Sequence, residues 1–548
     1  MRFTVAALAS SLLLAACATG PGSGQAPAFD AARLSEHARI LSDDSFEGRG
    51  IATPAEDKVV AYLSEQYAAA GFQPGGENGG WTQDVTLNRF TASNARGRLT
   101  VGGWSQDLTQ GREAVFSTRL PGASVNLTNA PLVFVGYGVK APERQWDDFK
   151  GQDMRGKILV VLVNDPDFEQ PELNTFNGRA MTYYGRWTYK YEEAARQGAA
   201  GVLIVHETAP ASYGWQTVTN SWSGPQFDIL RQNASAERIP LEGWIQRDLA
   251  VELFRRAGQD FEQLKVQARS RDFQPVALAD ATLDARMDVA TSQITTRNVI
   301  ARLPGRTHPD ETVLYTAHWD HIGVGDPDET GDRIFNGAVD NATGTAGLLE
   351  LARVFAAGPR PERSIVMISF TAEESGLLGS EYYAANPIYP LETTAGGFNV
   401  DSMNVYGRTT AISSVGQGQS ELDERIAAAA SAQGRTVAPD SGAGGGYFRS
   451  DHFPLAKRGV PMGYVGSAGD FRDEPIAERL AARQEYGAKR YHQAADEWSA
   501  DWDLSGQVED LQLIHDLGLA LANSRDWPGW KPGSEFGPAR EVSAAARR

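Results

Sequence analysis

Apolar residues recur at helical spacing over Arg33 to Leu41 and again over Glu56 to Ala70. Thr53-Pro54 ahead of the second run supplies an N-cap and a proline at the first helical position, and Gly71 supplies a C-cap. The pattern then changes. Pro131 to Val135 and Lys157 to Val163 are short β-rich runs bounded by Gly and Asp. A helical run over Tyr189 to Gln197 leads into Gly198 to Val205. From Thr295 onward strand-like and helix-like runs alternate. Asn298 to Leu303, Thr312 to Ala317, Ser364 to Phe370 and Gly397 to Val400 read as strands. Gly344 to Ala356, Leu377 to Ala385 and Glu421 to Gln433 read as helices. Such alternation predicts an α/β sheet covered by helices on both faces.

With 548 residues the chain exceeds one compact core, so more than one domain is expected. At 41% hydrophobic and 22% charged residues it reads as a globular protein. A net charge of -18 argues against a nucleic-acid partner, which needs clustered Lys and Arg.

Arg2 followed by the apolar run Phe3 to Leu14 reads as an export signal, too short to stay as a membrane-spanning helix. It ends Leu14-Ala15-Ala16-Cys17, which resembles the lipobox of bacterial lipoproteins. An ordinary signal peptide with an incidental cysteine is the plainer reading, but Cys17 is the only cysteine in the chain. The resemblance implies cleavage after residue 16 and acylation of Cys17. It implies a periplasm-facing lipoprotein of the bacterial cell envelope, at the outer membrane, held to the membrane only through its lipid. Residues 18–28 then form a flexible tether, and residues 531–548 a C-terminal tail.

Five polar motifs fall at the predicted strand ends, where ligands of open α/β sheets gather. The first is Ala317-His318-Trp319-Asp320-His321. Residues two apart on a strand face one side, so His318 is placed to bind a metal while Asp320 accepts its other ring N–H. The second is Asn336 to Gly344, a Gly-rich turn in which Asp340 either bridges two cations or caps the next helix. In the third, Glu373-Glu374 follow the buried run Ser364 to Phe370. Two carboxylates there are costly unless something positive compensates them. Asp401 follows the run Gly397 to Val400, and Tyr491-His492 lie in Arg490 to Asp496. Taken singly, most of these are the capping or hydrogen-bonded residues that end many strands. Taken together they supply two histidines, a shareable aspartate, a glutamate and a further aspartate, a donor set suited to two borderline cations such as zinc.

The order His-x-Asp, Gly-x-x-Asp-Asn, Glu-Glu-x-Gly-Leu-x-Gly-Ser, Asp and Tyr-His-x-x-x-Asp resembles metallopeptidase family 28, which includes zinc aminopeptidases and the glutamate carboxypeptidase II group. Residues 29–115 and 290–530 are similar to its peptidase domain, a three-layer sheet sandwich. Residues 130–273, with "GKILVVLV" and "EEAARQGAAGVLIVHE", resemble a β-rich protease-associated insert. The resemblance implies two Zn²⁺ held by His318, Asp340, Glu374, Asp401 and His492, with Asp340 bridging and Glu373 as general base. Asp320 stands behind His318, and Tyr491 and Tyr447 lie near the substrate carbonyl. Phe448, Arg449 and His452 belong to the pocket wall, to which Met462 and Tyr464 also contribute, while His321 and Asp451 are structural. The implied activity is release of N-terminal residues from peptides. A glutamate carboxypeptidase II-like specificity and a one-metal glutaminyl cyclase-type acyltransferase are the alternatives. Oligomeric state and preferred side chain are not written in the sequence.

Overall fold

The structure, a computed structural model, describes residues 28–325 and 327–547. The predicted signal, Cys17 and nearly all of the tether lie outside the described residues.

Two helices open the fold. Helix α1 (Ala31–Leu41) is capped by Asp30, whose carboxylate accepts the Ala32 N–H at 2.9 Å, and it buries Leu34, His37, Ala38 and Leu41 on one side. Helix α2 (Pro54–Ala70) begins on its proline and ends at Gly71, which takes a left-handed φ of 93°. Thr53 does not cap it; its hydroxyl donates to the Gly50 carbonyl instead. Two long strands follow in the fold, β1 (Thr82–Val101) and, far along the chain, one of 28 residues over Val276–Leu303. Between them lie β2 (Ala114–Ser117), β3 (Ser124–Phe134), β4 (Ile158–Leu162), helix α3 (Trp187–Arg196), β5 (Gly201–His206) and β6 (Leu241–Gln246). Strands β3 to β6 are neighbours and all parallel, and apolar clusters cover both faces. Parallel strands need crossover helices, so the inserted segment is an α/β layer with more helix than a β-rich unit, and its sheet begins at Ala114 rather than near residue 130.

The long strand, β7 (Val276–Leu303), pairs antiparallel with β3 over its first half and with β1 from Ala281 to Val299. At its end it pairs with β9 (Arg363–Phe370). Beyond β9 the order is β8 (His308–His318), β10 (Thr394–Asn399), β12 (Met462–Phe471) and β11 (Thr409–Ser414). Strands β9, β8, β10 and β12 run parallel. One mixed sheet of 16 strands thus carries both parts of the molecule.

Helices α4 (Gly344–Ala357) and α8 (Ser505–Ala522), with α1 and α2, cover one face of the β8–β10 region through Leu34, Tyr67, Leu348, Phe355 and Ile514. Helix α5 (Leu378–Ala385) helps cover the other, where Leu314, Val366, Ile368 and Tyr383 pack. Helices α6 (Leu422–Ala432) and α7 (Ile476–Lys489) complete the layers. Burying both faces explains why β9 reads as an unbroken apolar run. The insert docks on this body through Arg231–Glu381 (2.7 Å) and Lys457–Glu192 (3.3 Å). Among the described residues no helix is long and apolar enough to cross a membrane.

Candidate metal centre

Because β10, β8 and β9 are adjacent and parallel, their C-terminal ends lie side by side. His318 ends β8, Glu373 and Glu374 follow β9, and Asp401 follows β10. Asp340 reaches the same place from the turn before α4, and His492 from the segment after α7. The chain brings all five predicted donors together. His318 Nε2 lies 3.3 Å from Asp340 Oδ1 and 3.3 Å from Asp401 Oδ1. His492 Nε2 lies 3.2 Å from Asp340 Oδ2 and 3.2 Å from Glu374 Oε2. Asp340 therefore turns one oxygen to each of two histidine–carboxylate pairs. His321, expected to be structural, joins the second: its Nδ1 is 2.6 Å from Glu374 Oε1. Its place in the His-x-Asp-His motif was the one signal that pointed there.

The charges fit a cation. Burial drives the Glu373 carboxyl well above its ordinary pKa, and the charges of Glu374, Asp401 and Asp451 push it further. Burial opposes charge on His318, yet Glu373 and Asp401 outweigh it and raise that histidine well above the usual range. His492 behaves alike: burial pulls it down, Glu374 and Asp340 pull harder, and its pKa rises to about 10. Both histidines are thus drawn toward carrying positive charge among crowded carboxylates. Nitrogen and carboxylate donors within 4.8 Å of one another, in two groups that share Asp340, can hold borderline cations such as zinc.

Neighbouring groups fix these donors. Asp320 acts by another route than expected. His318 Nδ1 is 3.1 Å from the Asp320 backbone oxygen and 3.8 Å from its carboxylate, which instead accepts the Glu373 and Glu374 N–H groups at 3.1 and 3.4 Å. Ser450 Oγ donates to Asp401 Oδ2 at 2.6 Å, and Asp496 accepts the Val339 and Asp340 N–H groups, each at 3.0 Å. The glycine of "LLGS" has a steric reason: a Cβ on Gly379 would stand 2.1 Å from the Thr371 carbonyl oxygen, two residues before Glu373.

The expected pocket residues divide. Tyr491 stays at the centre, its ring stacked on His492 at 3.9 Å and 47% exposed. Tyr447 does not. It is buried against Phe448, His452 and Phe536, and it lines a small cavity with Gln419, Met462 and Trp530. Tyr464 stands where Tyr447 was expected, with its hydroxyl 3.3 Å from the Asp401 backbone oxygen. Phe448 is core, packed on Tyr183 and Phe453. Arg449 reaches toward the insert, donating to Ser212 Oγ at 3.1 Å. His452 is wholly buried between Tyr447 and Tyr464, with its pKa lowered to about 3 by burial.

The fold and the site define a class: a mixed α/β protein with a histidine–carboxylate centre at the ends of parallel strands. Residues 298–514 match the sequence model of Peptidase family M28. Aminopeptidase NAALADL1 of Mus musculus is 36% identical over 307 residues, covering 46% of this chain and 40% of that protein. Aminopeptidase YwaD of Bacillus subtilis is 38% identical over 106 residues, covering 19% of this chain and 20% of that protein. A probable zinc metalloprotease of Leptosphaeria maculans is 31% identical over 179 residues, covering 32% and 37%. The chain thus spans less than half the length of these curated relatives. Among solved structures, an aminopeptidase from Aneurinibacillus sp. strain AM-1 shares the fold, with a TM-score of 0.50 and 20% identity over 92% of this chain and 95% of that one.

Proposed function

We propose that this protein is a zinc-dependent exopeptidase, an aminopeptidase with two zinc ions, acting on peptides. The observation that carries it is Asp340, whose two carboxylate oxygens face two separate histidine–carboxylate pairs. His318 and Asp401 would hold one ion, Glu374 and His492 the other, with His321 beside them. Zinc in such a site supplies Lewis acidity, polarising a peptide carbonyl and acidifying a water.

The remaining chemistry belongs to the chain. Glu373 lies beside the proposed ligands, its carboxylate 4.0 Å from His318 Nε2. A carboxylate with its affinity for protons raised takes one from an attacking water and hands it to the leaving amine. The Tyr491 and Tyr464 hydroxyls flank the centre and are placed to donate to the oxygen that gains charge. The carboxylate-rich site favours a substrate ammonium group. Arg449, the cation a carboxypeptidase reading would need, is turned toward Ser212. The names of the relatives above agree with the aminopeptidase direction.

A panel of aminoacyl and N-blocked peptides, with and without chelator, tests this. Cleavage of free-amine substrates alone, abolished by chelator and restored by zinc, is expected; cleavage of N-blocked peptides bearing a free carboxylate would reverse the direction. About two zinc ions per chain are expected; one ion with pyroglutamate formation would favour the cyclase-type reading. We also propose that Cys17 carries lipid and anchors the protein on the periplasmic side of the outer membrane. Cys17→Ser should then move it to the soluble fraction, and unchanged membrane partition would refute the anchor.

A further inference from the structure

We propose that Arg49 is a positioning residue that sets the spacing of the two turns carrying His318, His321 and Asp340, an inference that rests on the zinc-peptidase reading above. Arg49 lies between α1 and α2 and is 1% exposed. Its guanidinium touches no carboxylate; it donates to four backbone carbonyls. Nε reaches Trp319 O at 2.8 Å, Nη1 reaches Leu41 O at 2.8 Å and Asn336 O at 2.6 Å, and Nη2 reaches Gly337 O at 2.7 Å. Its own carbonyl accepts the His321 N–H at 3.3 Å. One planar group therefore spans the turn that follows His318 and the turn that precedes Asp340.

The same segment ties the second turn again, since Asn336 Nδ2 donates to Asp44 Oδ1 at 2.9 Å. Asp496 holds that turn from the opposite side through the Val339 and Asp340 N–H groups. Burial alone disfavours charge on Arg49, and the carboxylates that offset this include Asp340, Asp320 and Glu374 of the centre. A lysine cannot replace the fork: it has three donors on a point charge, where three carbonyls in two turns and a fourth at the end of α1 need a fixed plane. Displacing ligand-bearing turns by about 1 Å is enough to cost a hundredfold in a reaction. Residues behind metal ligands typically govern about ten- to hundredfold in affinity.

The test uses the full chain with Arg49→Met, Arg49→Lys and a control, Arg363→Met. Arg363 is equally buried and also donates to two backbone carbonyls, Leu521 O and Asp526 O, but it lies at the other end of β9. Zinc affinity is read by competition with a chromogenic chelator on protein shown folded by near-UV circular dichroism, alongside kcat and KM. Folded Arg49→Met should bind its weaker zinc at least tenfold less tightly, with kcat down tenfold or more and KM within threefold. Arg49→Lys should recover only part of this, and Arg363→Met should lower the melting temperature and keep wild-type zinc affinity. If Arg49→Met does not accumulate, Arg49→Lys decides the matter, a threefold or greater loss of zinc affinity supporting the proposal. Wild-type affinity in folded Arg49 variants, or an equal loss in Arg363→Met, overturns it. Wild-type protein that binds no zinc would instead remove the functional reading on which it stands.

Discussion

Glu373 and Glu374 are adjacent in the chain and opposite in electrostatic fate. Both are buried, but His492 and His321 hold Glu374 down to about 2, whereas burial, with Glu374, Asp401 and Asp451, outweighs His318 and raises Glu373. That contrast agrees with the proposed roles of Glu374 as ligand and Glu373 as base. Glu373→Gln should keep wild-type zinc content while kcat falls about a hundredfold to ten-thousandfold, measured by metal analysis and initial rates. Near-normal turnover would take Glu373 out of the chemistry. A second residue prediction lies away from the centre. His37 is buried in α1 against Tyr62, and burial lowers its pKa from 6.5 to about 4. The unfolded chain therefore takes up that proton first as pH falls. Its contribution is fully present above pH 6.5 and is lost between pH 6.5 and about 4, at most about 3 kcal/mol. His37→Gln should flatten that part of a denaturation-against-pH curve; an unchanged slope would mean His37 is not buried neutral. The places of His318, Glu373, Glu374 and Asp401 were legible in the sequence because each follows a short apolar strand, whereas His492 came from the family resemblance. Tyr447 and Tyr464 were not separable there. Both lie in aromatic surroundings, and only the packing of Phe536 and Phe448 on Tyr447 turns one of them away.

Elements with one-sided or two-sided burial were read closely from the chain. Helix α4 and strand β9 match their apolar runs to within a residue or two. The long strand β1 was not read from the chain, and β7 only over its end, Asn298 to Leu303. Between Asp280 and Ser292 the residues Ala281, Leu283, Ala285, Met287 and Val289 alternate with mostly polar ones, but the alanines and the three aspartates weaken the strand preference. Pairing with β1 on one side and β3 on the other makes the stretch a strand. The turn after β9 shows how tightly an element can hold a site. Gly379→Ala would drive a methyl into the Thr371 carbonyl, so the Glu373–Glu374 turn must shift. Overpacking of this kind costs about 1–3 kcal/mol. We expect a lowered melting temperature and at least a tenfold loss of kcat/KM; wild-type kinetics would show the turn to be more tolerant.

At the scale of the molecule, the chemistry draws on segments nearly 450 residues apart, from Arg49 to Asp496. The stretch 298–514, which matches the family model, is therefore incomplete without α1 and α2, whose Leu34, Leu63 and Tyr67 are wholly buried in the same core as Leu348. A fragment of residues 290–530 should lack cooperative thermal unfolding and zinc binding, whereas the chain from residue 28 should have both; a folded, zinc-binding fragment would refute this.

The insert is no bead on a string, because β7 runs through both parts of one continuous sheet. Its first half is stitched to β3 and its last residues to β9, with no linker in between. Exchanging the insert for that of another protein would put the splice inside a single strand, and the hybrid would have to satisfy two hydrogen-bond registers together. The edges of this unit must therefore be drawn along β7, and a graft designed as though the two parts met at a hinge would begin with a broken beam.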